Sequence, residues 1–253
     1  MPQTRPIVKL MHVLDRRDAL RLGGLATVGA FLAGCGSKAA PAADAETAHA
    51  ESSSEAVTAE AALARLKYGN ARFVGGNATR PRQDTERRKE LAAGQHPHAT
   101  ILSCVDSRVP PEIVFDHGLG DLFVIRTAGQ VVDHAVLGSI QYGVHELHIP
   151  LLVVMGHSKC GAVKATVEAV EKNAAPSGTD IDALVTAIKP AVDEAKGENA
   201  ADLLDVAINK NVSGVVSRLR TANVLLSAIA EKHLTVVGAR YELATGAVTF
   251  LAD

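Results

Sequence analysis

LLVVMGHSKCGA, residues 151–162, sets an unbroken apolar run directly ahead of a short loop that carries a histidine and a cysteine. Such a run, without polar alternation, suits a strand covered on both faces, as in a parallel sheet. Residues 98–102 and 122–125 read the same way, each run bounded by Gly or Pro. Between the runs lie stretches with helical spacing. Residues 134–147 put Val136, Ile140, Val144 and Leu147 on one face, residues 180–196 look helical, and residues 203–232 read as helix interrupted around 209–212. Upstream, Ala59, Leu63, Leu66 and Phe73 mark a helix over 56–75 that Gly75-Gly76 ends, and a charged stretch, 80–90, follows it. Residues 235–241 and 247–251, separated by Thr245-Gly246, read as a hairpin. The pattern predicts an α/β fold with a central, mostly parallel β-sheet, an antiparallel edge and flanking helices.

Composition narrows the function. A net charge of −2 leaves no basic footprint for nucleic acid, and 3% aromatic residues with no Trp make a base-stacking platform a poor reading. Three cysteines, Cys35, Cys104 and Cys160, are too few for a disulfide framework.

Two segments concentrate reactive side chains: SCVDSRVPPE, residues 103–112, and GHSKCGA, residues 156–162. Each follows an expected buried strand, at the strand end where open α/β sheets bind ligands. Cys104, His157 and Cys160 form a two-sulfur, one-nitrogen donor set suited to zinc, and three ligands leave the open fourth position of a catalytic site. Asp106 and Arg108 follow Cys104 at two-residue steps, so in an extended chain all three point to one side. A bidentate pair with Arg108 can then hold Asp106 off the metal. Two plainer readings stand beside this one. Cys104 and Cys160 could be core thiols or a disulfide, which an exported protein permits, and Asp106–Arg108 could be an ordinary ion pair.

Together these segments resemble beta-class carbonic anhydrases. CVDSRVPPE is similar to that family's C-x-D-S-R segment and GHSKCGAV to its H-x-x-C-G segment. The likeness extends to Gly69–Phe73 (GNARF), to 120–129 (GDLFVIRTAG) and to 236–241 (VVGARY), spanning nearly all of 58–253. The resemblance implies one Zn²⁺ per subunit on Cys104, His157 and Cys160, with Asp106 and Arg108 as the catalytic pair and Asp106 a fourth ligand in any closed state. It also implies a substrate pocket with Gln95, Phe123, Tyr142 and Gly161. Without it, Gln95 reads as a loop amide and the two aromatics as core. The implied reaction is reversible hydration of carbon dioxide to bicarbonate, with His96, His98, His117 and His134 as candidate proton shuttles. The implied assembly is a homodimer or higher even oligomer gripped by an N-terminal helical arm. The sequence departs from the family's usual pattern at Val105, Gln130 and Ile101. The same zinc set would also serve a hydrolase of carbonyl sulfide or carbon disulfide, or a non-catalytic zinc- or bicarbonate-binding surface lipoprotein. Asp106 and Arg108 argue against the last, because metal storage needs neither.

The first residues read as an address. Arg5, Lys9, Arg16, Arg17 and Arg21 flank an apolar run of residues 23–32, too short to span a bilayer. Leu32-Ala33-Gly34-Cys35 resembles a bacterial lipobox, with lipidation at Cys35, and Arg16-Arg17 weakly resembles a twin-arginine signal. The expected organisation is a signal peptide over 1–34, a lipidated flexible tether over 35–56 and a catalytic domain over 57–253. The protein would be exported, periplasmic or otherwise extracytoplasmic, and tethered to the membrane by its lipid.

Overall fold

The computed structural model describes residues 57–198 and 201–251. The expectations for residues 1–34, Arg16-Arg17, Cys35 and the tether therefore lie outside the described residues. Five strands form one sheet: β1 (Ala99–Cys104), β2 (Leu122–Thr127), β3 (Leu151–His157), β4 (Thr235–Tyr241) and β5 (Val248–Phe250). Their order is β2-β1-β3-β4-β5, the first four parallel and β5 antiparallel to β4. The mostly parallel sheet with an antiparallel edge is the expected architecture. Every residue of β1 and β3 is buried, as their apolar runs require. β2 is only half-buried along its length, because it is an edge strand with a neighbour on one side.

The helices are α1 (Ala59–Val74), α2 (Thr85–Leu91), α3 (Pro111–Val114), α4 (His134–His145), α5 (Gly161–Glu171), α6 (Ile181–Gly197), α7 (Leu203–Arg220) and α8 (Leu226–Ala230). Strand pleating sends alternate residues to opposite layers. Ile101, Leu151 and Val153 pack with Ala62 and Leu66 of α1 and with Phe115, just after α3. Leu102, Leu152 and Val154 pack on the other side with Ile140 of α4 and with Val212 and Leu219 of α7. A third cluster caps the C-terminal strand ends, where Val163, Ile188 and Ile208 of α5, α6 and α7 surround Cys104 and Cys160.

α1 begins at Thr58, whose hydroxyl accepts from the Ala61 N–H as an N-cap. α2 forms within the charged stretch, capped by Asp84, where apolar spacing gave no signal. The interruption expected around 209–212 is not there: α7 runs unbroken to Arg220, and the chain leaves the helix only at Thr221. Its asparagines serve tertiary bonds, Asn209 accepting from Arg240 at 3.4 Å and buried Asn211 donating to the Gly129 carbonyl at 2.9 Å. Among the described residues no helix is long and apolar enough to cross a membrane.

Candidate metal centre

β1 and β3 are adjacent and parallel, so their last residues, Cys104 and His157, emerge at the same end of the sheet. After His157 the chain turns through Ser158 and Lys159, the latter at φ 55°, and Cys160 becomes the N-cap of α5. One turn of chain therefore returns the second sulfur to the first. The ligand atoms of Cys104, His157 and Cys160 all lie within 4.8 Å of one another, and all three residues are buried. Both cysteines are free, with Sγ atoms 4.0 Å apart, so they are not a disulfide. Two sulfurs each ~2.3 Å from one tetrahedral zinc would stand roughly 3.8 Å apart, close to the spacing found.

The imidazole is already set for a metal. A carbonyl only accepts, so the 2.9 Å contact between His157 Nδ1 and the Ser158 carbonyl puts the ring proton on Nδ1. Nε2 keeps its lone pair, is buried, and has no hydrogen-bond partner among the described residues. A hydrogen bond from Cys160 pulls the Cys104 thiol down against the effect of burial, with further help from the Gly129 N–H. The reciprocal bond and burial push the Cys160 thiol well up. As a thiol beside a thiolate the pair shares one proton; a dication that displaced it would satisfy both sulfurs as thiolates.

Asp106 and Arg108 meet by a route other than an extended strand. β1 stops at Cys104, and the chain makes a turn in which Asp106 Oδ1 accepts from the Arg108 backbone N–H at 2.9 Å. The Arg108 fork then closes on the carboxylate, Nε to Oδ1 at 2.9 Å and Nη2 to Oδ2 at 2.7 Å. This pairing, above all, holds the Asp106 carboxyl far below the usual range, so it is ionised. Its Oδ2 lies 3.9 Å from His157 Nε2, at the edge of the donor cluster.

Four supports were given no role from the sequence. Arg126 donates to the Cys104 carbonyl at 2.9 Å and the Asp106 carbonyl at 2.6 Å, fixing the turn between them. Gly129 directs its N–H at Cys104 Sγ from 3.4 Å, at φ +62°, with Ile188 Cδ1 only 2.7 Å from where a Cβ would sit. Ser158, whose carbonyl accepts from His157 Nδ1, donates its hydroxyl to Glu242 at 2.8 Å. The only sequence signal for Arg126 and Gly129 was their place in the family-like stretch 120–129.

A single chain does not gather the expected pocket. Gln95 is exposed ahead of β1, at the opposite end of the sheet from Cys104. Phe123 pairs with Thr100 in the register and its ring lies 6.3 Å from that of exposed Tyr142. Four residues of strand, roughly 13 Å, separate that level from Cys104. Gly161 does sit beside the donors, as the first residue of α5. Among the candidate shuttles, His98 and His117 are buried toward the far end of β1, with rings 5.1 Å apart, whereas His96 and His134 are exposed.

The family model described as carbonic anhydrase matches residues 99–248, which include every residue of the donor cluster. The chain is 44% identical over 190 residues to the carbonic anhydrase of Mycolicibacterium smegmatis, covering 74% of this chain and 91% of that protein. It is likewise 44% identical to carbonic anhydrase 2 of Mycobacterium tuberculosis, over 74% of this chain and 89% of the relative. Among solved structures it resembles the tetrameric beta-carbonic anhydrases of Sordaria macrospora, with TM-score 0.61, 25% identity and coverage of 74% and 94%. It also resembles a Coccomyxa beta-carbonic anhydrase solved with acetazolamide, with TM-score 0.59, 27% identity and coverage of 76% and 86%. Relatives and donor set agree: the chain belongs to the carbonic anhydrase family, in its beta class.

Proposed function

We propose that this protein catalyses the reversible hydration of carbon dioxide to bicarbonate and a proton, with one zinc ion per subunit on Cys104, His157 and Cys160. The observation that supports it most is the buried, unpartnered Nε2 of His157 facing two free sulfurs 4.0 Å apart. When bound, zinc supplies a Lewis acid that makes hydroxide available near neutral pH, as it does in carbonic anhydrases that hold the metal on three histidines. The remaining work belongs to the chain. Arg108 keeps Asp106 ionised and turned aside, so the carboxylate accepts a hydrogen bond at the mouth of the donor cluster and aims the attacking oxygen at carbon dioxide. Were Arg108 to release it, the same carboxylate would reach the fourth position and close the site. Arg126 holds the backbone on both sides of that choice.

A pocket role for Gln95, Phe123 and Tyr142 requires a second chain, and an even-numbered assembly would supply one. We place the enzyme outside the cytoplasm, tethered through lipid on Cys35. The test is metal analysis of the purified full chain with a stopped-flow carbon dioxide hydration assay, run beside carbonyl sulfide and carbon disulfide. One zinc per chain and hydration activity are expected, both lost in Cys160→Ala together with fold stability. A zinc-loaded protein inert toward carbon dioxide would refute the reading.

A further inference from the structure

His157 depends on its neighbour's carbonyl for its tautomer and orientation, so whatever fixes Ser158 also fixes the ring. Ser158 is only 5% exposed and is stitched to the end of β4 and the β4–β5 connection by three hydrogen bonds. Its N–H donates to the Tyr241 carbonyl at 2.9 Å, and its hydroxyl donates to Glu242 Oε1 at 2.8 Å. The same hydroxyl oxygen accepts from the Leu243 N–H at 3.0 Å. A single side-chain oxygen thus joins the metal loop to two consecutive residues on a segment more than eighty positions away.

The connection is itself closely bonded. Glu242 Oε1 also accepts from the Ala244 N–H at 3.2 Å, and the Glu242 backbone bonds Gly246 and Ala247, each at 2.8 Å. From the opposite side, the buried amide of Asn70 in α1 donates to the Gly246 carbonyl at 2.8 Å and accepts from the Val248 N–H at 2.9 Å. Gly246 takes φ +78° with Phe73 packed on it, 2.8 Å from where a Cβ would stand. Arg240, in turn, pairs its guanidinium with Asp205 near the start of α7 and reaches Glu242 at 3.8 Å.

We propose that Ser158 and Glu242 are positioning residues for His157, forming a brace from the β4–β5 connection that holds the imidazole in its metal-binding pose. The proposal rests on the reading of His157 as a zinc ligand. It assigns the pair no proton transfer and no contact with substrate. Loss of an outer partner of a ligating histidine typically weakens metal binding 10–100-fold. These residues act one bond further out, so the lower end applies.

Zinc affinity of the full chain, measured by competition with a chromophoric chelator, and the visible spectrum of the cobalt-substituted protein together test it. Ser158→Ala and Glu242→Ala are expected to raise the zinc dissociation constant roughly tenfold and to shift the cobalt bands. Glu242→Gln keeps an oxygen acceptor for Ser158 and Ala244 and should return both readouts close to the parent values. Ile140→Val, a buried truncation in α4 outside the brace, controls for lost stability alone and should change neither. If the parent binds zinc and the two alanine variants match it in affinity and cobalt spectrum, the brace is refuted while the zinc reading stands. A parent that binds no zinc overturns both. Equal losses in Glu242→Gln and Glu242→Ala would remove Glu242 from the role.

Discussion

Asp106 illustrates how little sequence distance says about mechanism. It stands two residues from the candidate metal ligand Cys104, yet its charge state is set by Arg108, and its backbone is held by Arg126 from the neighbouring strand. Replacing the carboxylate by an amide preserves shape while removing the second acceptor of the fork. Asp106→Asn is therefore expected to retain zinc and lose kcat/KM by about 10²-fold or more, measured by stopped-flow hydration alongside metal content. An amide variant with parental turnover would exclude Asp106 from the chemistry. The donors and this pair were legible because each lies in a short, self-contained motif. The geometry of the pair was not: alternate pointing in an extended chain suggested the contact, but an Asx-type turn beyond the end of β1 makes it.

At the level of elements, the short helical turn at Ala128–Gln130 couples β2 to the sulfur of β1. Gly129 combines a left-handed φ, an N–H on Cys104 Sγ and a carbonyl that receives Asn211 of α7. A methyl group there would meet Ile188 and incur left-handed strain of about 1–2 kcal/mol. Gly129→Ala should lower the urea midpoint and weaken zinc binding in the same protein; an unchanged midpoint would remove the strain argument. The element pattern was readable wherever apolar spacing or a Gly or Pro boundary was strong, as in β1, β3, α1, α4 and the closing hairpin. It failed at α7, because Asn209 and Asn211 look like helix breakers until their tertiary partners are known. It failed at α2 as well, a helix with no buried residue and hence no periodic signal. Arg126, Gly129, Ser158 and Glu242 escaped for a related reason, since each acts on backbone groups or on residues remote in the chain.

Considered whole, the molecule keeps its chemistry at one end of the sheet and a buried histidine pair toward the other. Burial first, then His117 and Arg65, pull His98 from 6.5 down to about 3, opposed by Asp121 and assisted by Arg82. His117 is lowered too, chiefly by burial. Both rings are neutral in the fold at neutral pH. As pH falls below 6.5, the unfolded chain gains protons that the folded chain refuses at His98, so stability declines by up to about 1.4 kcal/mol per pH unit, and the lowered His117 acts in the same direction. The urea midpoint should fall from pH 6.5 to pH 4.5, and His98→Phe should flatten that slope; parallel slopes in the two proteins would rule His98 out. The bond network behind Ser158 carries a consequence for how the protein is made. A nascent polypeptide that has reached Tyr241 already contains both thiols and the imidazole, but not the Glu242 carboxylate, the Leu243 amide or the Gly246 carbonyl that Asn70 grasps. Tight acquisition of the ion is thus expected to wait until residues 242–248 have emerged, and a chain truncated after Tyr241 should take up zinc more weakly than the full one.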